Sequence, residues 1–374
     1  MTSKKLFFTL AIAALSFASL LLFYAWPNIG TTPDQTHIKI FEESPNYDKA
    51  TSRFINRRQK EYDKMLQNFD FIALMKEQIF GKQQRTPPFE LPQTKPDWNV
   101  WQEYQKLQYI WFGHSTVLLR IEEQNILIDP VFDDASPLPF TVPRFQEPVL
   151  SLSEIPVDIV LISHDHYDHL SRKSIQHFID RDVHFVVPLG VSSYLVNWGI
   201  DSKKITELDW WEQYQFHNCT IVATPSQHFS GRTGPKGNKT LWASFVIQGT
   251  QEKVFYSGDS GYDIHFQEIG NRLGPFDIAF LEDGQYNKIW YMSHLFPEEV
   301  IQAHQDLRAK QLQPIHFGMF QLATHDWDEP IRKVLNIAEQ KNIDILLPKI
   351  GEIVRVNTQH TIDKWFEIPY ISDL

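Results

Sequence analysis

Four histidine and aspartate side chains crowd into one short stretch of the sequence, LISHDHYDHL, residues 161–170. His164 and His166 alternate, so their rings can converge on one point, and Asp168 and His169 can reach a second point close by. Imidazole and carboxylate are the ligand types that zinc prefers where cysteine is absent. Burying so many titratable groups without a metal or partners would be very costly. The stretch therefore predicts a loop that supplies ligands to two neighbouring metal ions.

Two metal ions need more ligands than one loop supplies, and three further candidates share one setting. His228, Asp259 and His316 each follow a strand-like apolar run, in the stretches TIVATPSQHF, KVFYSGDSGY and LQPIHFGMF. A lone histidine is more often structural than a ligand, but the repetition of this arrangement favours ligand roles for all three.

The elements around the loop are predicted from the residues on either side of it. VDIVLIS, residues 157–163, is an apolar run typical of a buried strand, and Ser171 suits the N-cap of a following helix. In layered α/β folds, ligand sites lie just beyond the carboxyl ends of strands. Asp129 in ILIDP and His114 in FGHST could support the ligands from behind. A turn aspartate and a core histidine are the structural alternatives for these two residues.

The overall composition excludes several classes of protein. The 374 residues are 42% hydrophobic and 22% charged, as in an ordinary globular protein. The formal net charge of −11 argues against binding to nucleic acid, which normally requires a basic face. Cys219 is the only cysteine, so an internal disulfide and a cysteine-based metal cluster are excluded.

The N-terminus carries an uncharged apolar stretch, Leu6 to Trp26, which is long enough to span a bilayer as a helix. Lys4 and Lys5 precede it, so the positive-inside rule predicts a cytoplasmic N-terminus and a catalytic body on the extracytoplasmic, periplasmic side. A cleaved signal peptide is the alternative, although the stretch is long for one. The predicted organisation is a single-pass anchor over residues 1–29, a helical and proline-rich arm over 30–100, and a hydrolase domain over 101–374.

The spacing of the candidate ligands resembles that of the metallo-β-lactamase fold hydrolases. In that family HxHxDH is followed by a histidine, an aspartate and a histidine at the edge of a four-layer αββα sandwich, an α/β fold. The resemblance implies two zinc ions per chain whose ligand sets share a bridging carboxylate. The first set is His164, His166, His228 and Asp259, and the second set is Asp168, His169, His316 and Asp259. Manganese, iron and cobalt also suit such ligands.

Further segments between about residues 111 and 318 resemble one branch, the N-acylphosphatidylethanolamine-hydrolysing phospholipase D family and its bacterial relatives. They include WFGHSTVLL, ILIDPVF, DIVLISHDHYDHL, TPSQHFSGR, SGDSGY, GPFDIAF and PIHFG. The resemblance implies a phosphodiesterase that cleaves a membrane phospholipid, N-acylphosphatidylethanolamine, to N-acylethanolamine and phosphatidate. The nucleophile would be a hydroxide shared by the two metal ions. The resemblance also implies a membrane-associated homodimer.

Two departures from this branch concern the substrate rather than the metal ligands. The turn after GPFD reads LEDGQYN, residues 281–287, where the better-known branch has a Gly-Ala-Tyr element. Ser293-His294 replaces a Gln-His pair thought to contact the head group. The predicted catalytic residues are Asp168, Asp259 and His294. The predicted substrate-binding residues are His294, His304, Gln285 and Tyr286.

The seven ligands alone do not select the substrate. Lactonases of the same superfamily use the same residue types, so a lactonase or another ester hydrolase is the main alternative. A further alternative is a catalytically inactive zinc-binding scaffold. Such a protein would be expected to lack one of the metal ligands, but all seven residues are present.

Overall fold

The structure is a computed structural model that describes residues 3–138, 140–232 and 237–367, without the side chains of residues 3–6, 14, 17 and 18. The N-terminal part, residues 3–103, consists of one long helix followed by short elements that precede the central sheets. In chain order they are α1 (Ser3–Ile29), α2 (Gln35–Phe41), β1 (Tyr47–Asp48), β2 (Arg53–Phe54), α3 (Gln59–Gln67), α4 (Phe71–Phe80) and α5 (Trp98–Glu103). β1 and β2 pair as an antiparallel hairpin.

The first central sheet has seven strands. In spatial order they are β16 (Ile353–Arg355), β3 (Gln108–Trp111), β4 (Val117–Ile121), β5 (Gln124–Ile128), β6 (Ile159–Leu161), β7 (His184–Pro188) and β8 (Ile205–Leu208). The strands from β16 to β5 are antiparallel, whereas β5 to β8 run parallel. The carboxyl ends of the parallel strands meet at one edge, and the loop with the crowded histidines follows β6.

The second sheet also has seven strands. In spatial order they are β15 (Asp344–Ile345), β14 (Ala309–Ile315), β13 (Phe276–Glu282), β12 (Lys253–Tyr256), β11 (Ser244–Gln248), β10 (Cys219–Thr224) and β9 (Gln213–Phe216). Here β9 to β12 are antiparallel and β12 to β15 parallel. The predicted ligands His228, Asp259 and His316 follow β10, β12 and β14.

The remaining helices cover the two sheets. α6 (Arg172–Gln176) and α7 (Ser192–Asn197) lie against the first sheet, and α8 (His265–Leu273), α9 (Pro297–Leu307) and α10 (Glu329–Lys341) lie against the second. The four-layer α/β sandwich implied by the resemblance is thus confirmed.

Alternation of side chains along β6 buries both faces of this strand. Ile159 and Leu161 belong to the large core that includes the second sheet. Val160 belongs to a separate core with Ile175 of α6 and Leu195 of α7. A strand between two apolar layers reads as a continuous apolar run, which is why VDIVLIS was recognisable in the sequence.

The predicted transmembrane anchor is not supported. Among the described residues of the chain, no helix is both long enough and apolar enough to cross a membrane. The end of α1 is held by polar contacts with the rest of the protein. Trp198 Nε1 donates to Pro27 O at 2.9 Å, and Asn28 Nδ2 donates to Pro137 O at 3.0 Å.

Arg232 connects the end of α1 to the histidine-rich loop. Its Nη1 donates to Asp165 O at 2.7 Å and to Leu170 O at 2.8 Å, and its Nη2 donates to Asn28 O at 2.7 Å. The guanidinium also lies 4.0 Å from the centre of the Tyr167 ring. One buried side chain therefore holds the loop at two points.

We expect Arg232→Met to lower the free energy of unfolding by about 3 kcal/mol, because the buried carbonyl oxygens lose a charged donor. Urea unfolding followed by circular dichroism measures this change. Arg332→Met is the matched control, since Arg332 pairs with Asp328 at the surface and should cost less than about 1 kcal/mol. Equal losses in the two variants would contradict the assignment.

Candidate metal centre

The loop after β6 is held by the carboxylate of Asp129 at the end of β5. Ser163 donates to Asp129 Oδ1 from its backbone nitrogen at 2.7 Å and to Oδ2 from its hydroxyl at 2.6 Å. His166 O then accepts from the backbone N–H of His169 at 3.1 Å and of Leu170 at 2.8 Å, which turns the chain towards α6. The predicted strand-to-helix loop is confirmed.

The first predicted ligand set brings four donor atoms together. His166 Nδ1 lies 2.9 Å from His164 Nε2 and 3.2 Å from His228 Nε2. Asp259 Oδ2 lies 3.6 Å from both His164 Nε2 and His228 Nε2. Ligands of a tetrahedral zinc ion, each at about 2 Å, are about 3.3 Å apart. These four side chains are therefore spaced to hold one metal ion.

The second set uses the other oxygen of the same carboxylate. Asp259 Oδ1 lies 3.1 Å from His169 Nε2 and 3.2 Å from His316 Nδ1. Asp168 Oδ2 lies 3.4 Å from His169 Nε2 and 2.9 Å from His114 Nε2. The two oxygens of Asp259 thus face two different groups of ligands, which is the arrangement of a bridging carboxylate.

Hydrogen bonds behind three of the histidines fix which ring nitrogen faces the centre. His228 Nδ1 donates to Ser293 O at 2.9 Å, and His169 Nδ1 donates to Asp129 Oδ2 at 2.7 Å. The hydroxyl of Ser163 gives its proton to Asp129, so His164 Nδ1 donates to that hydroxyl at 2.9 Å. In each ring Nε2 is left with a lone pair for a metal, as carboxylates and carbonyls commonly arrange for ligating histidines. Asp129 therefore supports the ligating histidines, which is the first of the two roles that the sequence left open for it, the other being a turn aspartate.

Unpaired atoms and electrostatics both fit a metal at this place. Within the described part of the chain, His169 Nε2, Asp259 Oδ1 and His316 Nε2 are buried without a hydrogen-bond partner. Such atoms are rare in folded proteins because each loses the solvation of water. Burial also lowers the pKa values of His164, His228 and His316 well below the usual range. Neutral imidazoles are the form that binds metal.

His294 lies beside the metal centre and is held by a buried glutamate. Its ring is 5.2 Å from the His228 ring and 5.3 Å from the His316 ring. His294 Nδ1 lies 2.7 Å from Glu282 Oε2, and Glu282 Oε1 accepts from the backbone nitrogen of Ser260 at 2.6 Å. Burial raises the pKa of Glu282 well above its usual range and lowers the pKa of His294, and the short contact joins the two side chains by a hydrogen bond.

A cavity of about 910 Å³ opens from this centre. The side chains from the metal side are His166, Asp168, Asp259, His294 and His316. The apolar side chains of the lining are Phe54, Ile55, Tyr62, Leu66, Phe69, Phe229, Trp290 and Leu322. Nine lining residues from Asp48 to Leu66, together with Phe69, come from the predicted arm, which therefore forms one wall of the cavity.

The predicted substrate-binding residues are placed in three different ways. Gln285 lines the cavity, but its amide is used by the backbone, with Nε2 donating to Phe320 O at 3.3 Å and Oε1 accepting from Leu322 N at 3.1 Å. The Tyr286 hydroxyl donates to Glu329 Oε1 at 2.9 Å, away from the described lining. His304 is buried on α9, also outside that lining. Of the four predicted substrate-binding residues, the structure places His294 and Gln285 in the lining of the cavity and the other two outside it.

Sequence reasoning missed three residues that contact the site. Asn56 and Tyr62 belong to the arm, and Glu282 belongs to the departing turn. Asn56 bonds to the backbone of His228, which is 172 positions away in the sequence. A lone asparagine carries no periodic pattern or motif, so the sequence offered no signal for it. Glu282 gave a weak signal, since an acidic residue directly after the apolar run of β13 is unusual in a buried strand end.

Comparison with known proteins agrees with this geometry. A family model described as Beta-lactamase superfamily domain matches residues 124–317. The chain is 35% identical over 337 residues to an uncharacterized protein of Mycobacterium tuberculosis (strain ATCC 25618 / H37Rv), over 88% of this chain and 89% of that protein. It is 32% identical over 263 residues to N-acyl-phosphatidylethanolamine-hydrolyzing phospholipase D 1 of Caenorhabditis elegans, over 65% of this chain and 74% of that protein.

A solved structure shares the fold. Igni18, a metallo hydrolase from the archaeon Ignicoccus hospitalis, superposes with a TM-score of 0.52 at 18% identity, over 66% of this chain and 97% of that chain. The fold and the clustered ligands define a hydrolase of the metallo-β-lactamase fold. The chain belongs to the β-lactamase superfamily, and it resembles the N-acylphosphatidylethanolamine-hydrolysing phospholipase D enzymes within it.

We expect metal removal to destabilise the protein, because both sheets contribute ligands and the buried donor atoms then lose their partner. At a metal concentration about 100 times the dissociation constant, binding adds about 2.7 kcal/mol per site. Thermal unfolding before and after dialysis against a chelator measures the drop in Tm, and added Zn²⁺ should reverse it. Asp259→Asn should contain less metal by elemental analysis and show a smaller chelator effect. An unchanged Tm in the wild-type protein would contradict a metal shared by the two sheets.

Proposed function

We propose that the protein is a dinuclear zinc phosphodiesterase that cleaves N-acylphosphatidylethanolamine to N-acylethanolamine and phosphatidate. One observation carries the choice of a lipid substrate. The cavity of about 910 Å³ is lined by residues of both ligand sets and by eight apolar side chains. Leu66, Phe69, Phe229 and Leu322 remain between 36% and 50% exposed there, although all four are apolar. Clustered exposed apolar side chains beside a cavity are typical of a ligand-binding groove.

The seven residues divide the binding of two zinc ions between them. One zinc ion would be held by His164, His166, His228 and Asp259, and the other by Asp168, His169, His316 and Asp259. When bound, the two zinc ions would lower the pKa of a water molecule, and their positive charge would neutralise the phosphodiester. The donor set, with imidazole and carboxylate and without cysteine, suits this chemistry.

The protein's own residues orient the water and the leaving group. Asp168 faces the cavity, and His114 Nε2 holds one of its oxygens at 2.9 Å, so the carboxylate is fixed to accept a hydrogen bond from the attacking water. The water oxygen bonds to phosphorus, the bond from phosphorus to the N-acylethanolamine oxygen breaks, and the proton that the water gives up passes to that oxygen. His294 contacts this oxygen through Nε2, since Nδ1 is used by Glu282.

The size of the cavity also supports a phospholipid rather than the smaller lactone as the substrate. An acyl-homoserine lactone places its reacting carbonyl in a compact ring with one acyl chain, whereas N-acylphosphatidylethanolamine carries three chains. The apolar wall extends from Phe229 near the metal ligands to Leu66 and Phe69 on the arm. Burying more chain on this wall stabilises binding by about 25 cal/mol per Å² of apolar area.

We expect the full-length protein with zinc to release N-acylethanolamine and phosphatidate from N-acylphosphatidylethanolamine in mixed micelles. Mass spectrometry identifies both products, and acyl-homoserine lactone serves as the competing substrate in a parallel reaction. Asp259→Asn should lose at least about 100-fold in kcat, because it removes the carboxylate that both ligand sets share. Ring opening of the lactone alone would keep the metal centre but reject the phosphodiesterase.

We expect Glu282→Gln to lower kcat by about 10- to 100-fold while KM and metal content stay close to those of the wild-type protein. The carboxyl group that contacts His294 becomes an amide, but the side chain at position 282 keeps its shape. Steady-state kinetics and elemental analysis provide the measurements. Glu298→Gln is the control, because Glu298 lies exposed on the first turn of α9. A variant with wild-type kcat would show that Glu282 does not act through His294.

A further inference from the structure

Residues 44–69, here called the arm wall, are built into the metal centre rather than linking it to another part of the chain. The hairpin β1–β2 is fastened to the loop after β10. Phe54 N donates to Asn238 O at 2.9 Å, and Asn238 Nδ2 donates back to Phe54 O at 3.3 Å. Phe54 itself is fully buried in the large core. The segment that follows is therefore presented to the site on a rigid support.

Asn56 binds both backbone polar groups of one predicted metal ligand. Its Nδ2 donates to His228 O at 2.6 Å, and its Oδ1 accepts from His228 N at 3.1 Å. Only 2% of Asn56 is exposed, and Gln59 Oε1 accepts from its backbone nitrogen at 2.8 Å. Two bonds from one planar amide fix both the position and the rotation of the His228 backbone. Asn56 lies behind His228, outside the described lining of the cavity.

The arm wall also reaches the residue that orients the His228 ring. The Tyr62 hydroxyl lies 2.9 Å from Ser293 Oγ, and Ser293 O accepts from His228 Nδ1. Met65 Sδ accepts from the backbone nitrogen of Met292 at 3.3 Å, directly beside Ser293. Backbone and ring of His228 are thus both held by contacts that lead to the arm wall.

The second ligand set is supported by residues outside the arm wall. His169 Nδ1 bonds to Asp129, and Asp168 Oδ2 lies 2.9 Å from His114 Nε2. Both supports belong to the first sheet or the loops next to it. A change in the arm wall therefore alters one of the two ligand sets directly and leaves the supports of the other in place.

We propose that Asn56 is a positioning residue for His228, and that the arm wall thereby controls metal occupancy of the His164–His166–His228 position alone. This inference rests on the proposed metal centre but on no assumption about the substrate. Outer partners of ligating histidines typically change metal affinity by about 10- to 100-fold when they are removed. The effect is expected at one of two metal positions.

The test measures zinc content, with Zn²⁺ as the only added ligand. Wild-type protein, Asn56→Ala and Asn46→Ala are dialysed against increasing chelator concentrations and analysed for zinc per chain. Asn46 is the matched control, because it donates to Asp209 Oδ1 at 2.8 Å from the same arm without touching His228. We expect Asn56→Ala to fall from two zinc ions to one at about 10- to 100-fold less chelator than the wild-type protein requires. Asn46→Ala should follow the wild-type curve.

A second background identifies which position is lost. Asp168→Ala weakens the other ligand set and should hold about one zinc ion. Adding Asn56→Ala to this background should then remove most of the remaining zinc, whereas adding Asn46→Ala should not. Equal loss of both zinc ions in Asn56→Ala, or retention of both, would overturn the proposal.

Folding and substrate are controlled separately. Should Asn56→Ala fail to give a folded circular dichroism spectrum, Tyr62→Phe replaces it. Tyr62→Phe removes only the hydroxyl near Ser293, so it should shift the first zinc loss in the same direction by a smaller factor. An unshifted curve would reject the proposal. A wild-type protein that binds two zinc ions but cleaves no phospholipid would reject the proposed substrate and leave this inference intact.

Discussion

The buried carboxylate of Asp129 is the interaction on which the rest of the centre depends. It is completely buried and accepts from Ser163 N, the Ser163 hydroxyl and His169 Nδ1, and the Tyr256 hydroxyl lies 2.8 Å from Oδ2. A carboxylate without such donors would cost several kcal/mol to bury. Because Asp129 directly follows β5 and Tyr256 ends β12, one carboxylate joins both sheets and also fixes the loop after β6. The contacts of Asp129 therefore hold the ligand loop at the edge that the two sheets share.

The position of the centre follows from the symmetry of the two sheets. β6 in the first sheet and β10, β12 and β14 in the second sheet all end at the same edge, so the first sheet supplies the ligand loop after β6 and the second supplies three separate ligands. Asp259 comes from the second sheet but divides its oxygens between the two sets. Metal binding therefore links the sheets a second time, which makes the site part of the fold as well as of the chemistry.

The sequence predicted those parts of the site that local patterns encode. VDIVLIS predicted a buried strand and HDHYDH a ligand loop, because a strand between two apolar layers and a crowd of titratable groups are both visible in a few residues. Asn56 and Tyr62 act on His228 from far away in the chain, and no local pattern marks such contacts. The N-terminal stretch shows the opposite error: hydropathy alone predicted an anchor, and no helix of the described chain is long and apolar enough to be one. The predicted homodimer stays a prediction.

The two departures from the phospholipase branch acquire a common physical meaning. Ser293 is shorter than the glutamine of that branch, and the Tyr62 hydroxyl reaches its Oγ at 2.9 Å. Glu282, in the altered turn, holds the neighbouring His294 at 2.7 Å. Both changes fasten the segment that carries His294 to its surroundings, one from the arm and one from the second sheet. At the positions where this chain departs from that branch, its side chains therefore hold His294 in place rather than present a longer amide beside it.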